Sequence, residues 1–69
     1  MLSKDVAYLS GVTVRTLRHY HQIGILPEPP RLENGYRDYG VVDVARVLRI
    51  KRLASLGLSL EQILSLIHI

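Results

Sequence analysis

Apolar side chains recur at helical spacing in four stretches of the chain, and a glycine closes each of the first three. Ser3 is the expected cap of the first helix, with Asp5 in its first turn, Val6, Ala7 and Leu9 as its apolar side and Gly11 as its stop. Thr13 caps the second, which is expected from Val14 to about Ile23 with Gly24 as the C′ residue. A third runs from about 42 to 56 and ends at Gly57. Its apolar positions, Val44, Val47, Leu48, Ile50, Leu53, Ala54 and Leu56, spread around much of the circumference, so it needs cover on more than one side. Ser59 opens a fourth, about 60 to 69, with Gln62 completing a capping box and Leu60, Ile63, Leu64 and Ile67 on one face. Leu9, Val12 and Leu17 are expected in the core.

Between the second and third helices the pattern changes. Pro27, Pro29 and Pro30 stop any helix and keep the backbone extended. Asn34-Gly35 then matches a type I′ hairpin turn, so Arg31 to Glu33 are expected to pair with Tyr36 to Tyr39. Strand alternation puts Tyr36 and Asp38 on one face and Arg37 and Tyr39 on the other. The expected fold is therefore mostly α: a winged helix-turn-helix of about four helices with a two-stranded β-hairpin wing. The 69 residues are expected to form one small domain or a piece of one, with the helix-turn-helix at 3–24, the wing at 30–40 and the last helices at about 42–56 and 60–69.

Charge narrows the chemistry. Nine Lys and Arg against six Asp and Glu give a net +3, and no acid lies between Val6 and Pro27. On the second helix Arg15, Arg18, His19 and Gln22 fall at i, i+3, i+4 and i+7 and share one side, while Val14, Leu17 and Tyr20 turn elsewhere. Those four are long or planar donors of the sort that reach phosphate oxygens and base edges in a major groove. Four further basic residues, Arg46, Arg49, Lys51 and Arg52, are interleaved with the apolar positions of the third helix. Cysteine is absent, which removes thiolate nucleophiles and cysteine-based zinc sites. His19 and His21 diverge on a helix and His68 is remote, so no metal site is expected. No Ser-His-Asp or Cys-His grouping suggests catalysis, and no cofactor is expected. Neither a membrane-length apolar run nor a signal-peptide pattern is present, so a cytoplasmic chain without membrane attachment is expected.

The motifs Gly11-Val12-Thr13-Val14-Arg15-Thr16-Leu17-Arg18-His19-Tyr20, Ile23-Gly24-Ile25-Leu26, Asn34-Gly35-Tyr36-Arg37-Asp38-Tyr39 and the segment from Leu53 to Ile63 resemble the DNA-binding domain of the mercury-resistance regulator (MerR) family. The resemblance follows the family's order and spacing over nearly the whole chain. It implies a second helix seated in the major groove of double-stranded promoter DNA, wings on the flanking phosphates, and homodimers that distort DNA so that RNA polymerase engages the promoter. It implies a DNA-binding set of Thr13, Arg15, Thr16, Arg18, His19, Tyr20, Gln22, Tyr36, Arg37 and Tyr39, with Gly57-Leu58-Ser59-Leu60 as a second wing.

Three positions depart from the pattern: His19 stands where Tyr is common, His21 where an acid is common, and Gly40 where Ser or Thr usually caps. The family's long dimerising helix and effector-sensing region do not occur within these residues, so a monomer or weak dimer is expected of the 69-residue chain. Two function classes stand side by side. One is a sequence-specific transcription regulator; the alternative is a helical protein-interaction module or an architectural, excisionase-like DNA-bending module.

Overall fold

The computed structural model describes residues 1–67 and contains four helices, α1 (Ser3–Ser10), α2 (Val14–Gln22), α3 (Val41–Ser55) and α4 (Leu60–Ile67). The expected continuation of α4 to residue 69 lies outside the described residues. Val6, Ala7, Leu17, Tyr20, Ile25, Leu26, Tyr39, Val47, Ile50 and Ile63 make one core, so every helix contributes to it. The three prolines of the connecting segment flank Ile25-Leu26 on one side and the Arg31 bridge on the other, and the chain then returns through Tyr39.

Local chemistry explains most of the boundaries. Thr13 Oγ1 accepts from the Thr16 amide at 3.0 Å, the expected N-cap of α2. Ser59 and Gln62 exchange both bonds of a capping box at the start of α4. Gly11 ends α1 in the left-handed region at φ 71°, and the Val12 amide reaches back to the Ala7 carbonyl, which turns the chain sharply into α2.

Several expectations are corrected. Ser3 does not cap α1: Leu2 occupies that position, and the Asp5 carboxylate accepts from the Leu2 amide at 3.0 Å. Gly40, by contrast, is the N-cap of α3 in spite of its missing side chain, and the Asp43 carboxylate accepts from its amide at 2.8 Å. Leu9 is 57% exposed, because α1 buries the face carrying Val6, Ala7 and Ser10 and so turns Leu9 to solvent. The hairpin is also reduced. Among the described residues there is no strand, and the expected two-stranded wing consists of one antiparallel bridge between Arg31 and Arg37. Asn34 keeps a negative φ and Gly35 alone turns left-handed at 87°, so the connection is not type I′. The Gly35 amide donates to Leu32 O at 2.9 Å and the Leu32 amide to Tyr36 O at 2.7 Å, the pattern of a three-residue loop ending in a left-handed glycine.

Candidate nucleic-acid interface

One turn of backbone sets the direction of the α2 side chains. Leu17 and Tyr20 are buried against the core, and this turns Arg15, Arg18, His19 and Gln22 to solvent, where all four are exposed. None of the four side chains makes a hydrogen bond or ion pair to another described residue, although the His19 carbonyl accepts the Ile23 amide at the helix end. Their donors are therefore available to an outside acceptor, and the absence of acids on this face leaves its positive potential uncancelled. Thr16 is half-buried, with its hydroxyl 2.9 Å from that of Thr13 at the helix start.

Beside this face lies an open groove of about 480 Å³, lined by Leu2, Lys4, Val14, Arg18, Arg31 and Tyr36 with Ser3, Gly35 and Arg37. Four cationic residues meet there without an acidic lining residue. The loop is held in place by Arg31, whose Nη1 donates to Gly35 O at 2.8 Å, and by the Asp38 amide, which donates to Pro30 O. Tyr36 is exposed at the tip, with its amide on Asn34 Oδ1. Arg37 is different. Its side chain is 19% exposed, Nη2 donates to Glu28 Oε1 at 3.0 Å, and Nε is buried without a partner among the described residues. The bond and charge of Arg37 hold the Glu28 carboxyl below the ordinary glutamate value.

Two members of the sequence-derived set belong to the core instead of the surface. Tyr20 is 7% and Tyr39 2% exposed, and burial pushes the Tyr20 hydroxyl pKa up. Sequence reasoning also missed His21, which faces inward. Its Nδ1 lies 2.9 Å from Leu26 O, its Nε2 lies 2.8 Å from the Tyr39 hydroxyl, and the two rings stack with centroids 5.8 Å apart. A carbonyl only accepts, so Nδ1 carries a proton and, in the neutral ring, Nε2 accepts from Tyr39. The signal was there in part: His21 lies one residue past Tyr20 and four past Leu17, on the buried side of the same helix.

No helix of the described residues is long and apolar enough to cross a membrane. Comparison with known proteins matches residues 3–39 to the family model "MerR family regulatory protein". A mercuric resistance operon regulatory protein of Bacillus cereus is 42% identical over 59 residues, which is 86% of this chain and 45% of that protein. A solved MerR-family transcriptional regulator from Bacillus cereus superposes with a TM-score of 0.92 at 33% identity, over 100% of this chain and 52% of its own. HiNmlR, a MerR family regulator lacking the sensor domain and solved bound to promoter DNA, superposes at 0.83 with 30% identity, over 91% of this chain and 48% of its own. The chain thus spans about half the length of the relatives it matches. With more than half of its residues inside the family model, and the helix-turn-helix in the family's arrangement, the chain belongs to the MerR family of regulatory proteins.

Proposed function

We propose that this chain is the DNA-reading head of a transcription regulator. Residues 1–69 act as one winged helix-turn-helix unit: α2 enters the major groove, and the loop around the Arg31–Arg37 bridge serves as the wing on the flanking phosphates. Arg15, Arg18, His19 and Gln22 read or flank base edges, with Thr13 and Thr16 at the helix start. Arg31, Tyr36 and Arg37 hold the backbone, and the turn at 57–60 is the second wing. Tyr20 and Tyr39 support this surface from beneath. In the longer parent the head works as one half of a homodimer on promoter DNA in the cytoplasm, and it influences RNA polymerase through the shape of that DNA, without catalysis or a cofactor of its own.

The observation that carries the reading is the exposed α2 face, basic and without internal partners, adjoining a groove with four cations. Titration of a duplex at increasing salt tests it. Log affinity should fall linearly against log salt, whereas a protein-interaction module shows no such slope on DNA. On a site selected from a random library, Arg18→Ala should cost on the order of 1 to 3 kcal/mol and relax base preference. Arg31→Ala should weaken all sequences alike. An Arg18→Ala chain that held the selected site unchanged would refute the assignment of the reading face.

A further inference from the structure

Glu28 stands outside the groove lining yet holds one of the groove's cations. We infer that Glu28 is an electrostatic restraint on the phosphate-binding surface, lowering the chain's affinity for every DNA sequence by keeping an Arg37 donor and its charge engaged within the molecule. The inference rests on the reading of the groove as a phosphate site.

The geometry separates restraint from positioning. Most of the Arg37 side chain is buried and its Nε sits inside the packing, so contacts besides the Glu28 bond hold the stem. The single bond from Nη2 to Oε1, at 3.0 Å, adds little orientation to a group already held. What it adds is a negative charge. A carboxylate and a phosphate are acceptors of the same guanidinium hydrogens, so an incoming phosphate either displaces Glu28 or approaches against it.

The backbone keeps the carboxylate close at low entropic cost. Glu28 lies between Pro27 and Pro29, and a residue that precedes proline is confined to extended conformations. Half of its side chain remains exposed, which leaves the pair open to competition from outside. The carboxyl is held below its ordinary value first by the bond to Arg37 and next by the charge of Arg37. Among the described residues no other ion pair involves a groove residue; Asp38 faces the N-terminal ammonium and Asp43 faces Arg46.

The experiment compares Glu28→Gln with Glu33→Gln on a duplex of random sequence across a salt series. Both substitutions remove one charge, but Glu33, exposed in the loop, has no bond to Arg37. Glu28→Gln should bind about 3- to 10-fold more tightly at low salt, with a slope steeper by up to about 0.9, the increment of one further phosphate neutralised. Glu33→Gln should move both quantities much less. Glu28→Ala should reproduce the gain, and in an Arg37→Ala background Glu28→Gln should give a much smaller one, because only the weaker attraction of Glu28 to Arg31 remains among the groove cations. Equal gains from the two glutamates, or weaker binding by Glu28→Gln, overturn the restraint. A wild-type chain with no negative slope would remove the phosphate reading and the restraint with it, whereas a normal wild-type slope with Glu28→Gln unchanged removes the restraint alone.

Discussion

His21 and Tyr39 join the end of α2 to the segment that leads into α3, and they do so by a bond that neither residue signals in isolation. Tyr39→Phe keeps the ring stack but leaves His21 Nε2 without its partner, so it should lower unfolding stability by about 1 to 2 kcal/mol in urea titration. Glu28 predicts a pH effect of definite sign. Its carboxyl is depressed in the folded chain, so its contribution is present above the unfolded glutamate value and is lost as pH falls through the folded one. Acid unfolding monitored by circular dichroism should therefore show a shallower loss of stability at low pH in Glu28→Gln than in the wild type. At this scale the sequence was only partly legible. Helical spacing correctly grouped Arg15, Arg18, His19 and Gln22, because burial of Leu17 leaves that arc no choice. The roles of Tyr20, His21 and Tyr39 depend on contacts as far as 18 residues away, which a local period does not encode.

Elements were more legible than side chains because their ends carry their own chemistry. Thr13, Gly24, Gly57 and the Ser59–Gln62 box mark boundaries within a residue or so of the expected ones, each by satisfying a backbone group that the helix leaves open. Thr13→Ala should cost about 1 kcal/mol in thermal or chemical unfolding, with the loss traced to the Thr16 amide. Ser3 misled because a serine at a helix start looks like a cap, whereas Asp5 reaching back to Leu2 does the same service from the other side. The loop misled for a related reason: Asn-Gly fits both a two-residue turn and the end of a three-residue one, and the register of Arg31 opposite Arg37 decides between them.

For the molecule as a whole, a core this small makes each buried side chain a large share of stability. Ile63 is the buried residue of α4, and among the helices α4 packs chiefly on α3. Ile63→Ala should cost about 2 to 5 kcal/mol, enough to release α4 or unfold a marginal domain, and differential scanning calorimetry with amide exchange would tell the two apart. Periodicity foretold that α3 needed cover on more than one side, and α1 and α4 do supply it. It did not foretell which cation of α3 would reach across. Lys51 Nζ lies 3.2 Å from Ser10 O and 3.3 Å from Gly11 O, and a Cβ at Gly11 would stand 2.7 Å from that nitrogen. A side chain at 11 would push the mobile lysine tip off those carbonyls, but the larger obstacle is the left-handed backbone at φ 71°, which admits glycine far more readily than any other residue.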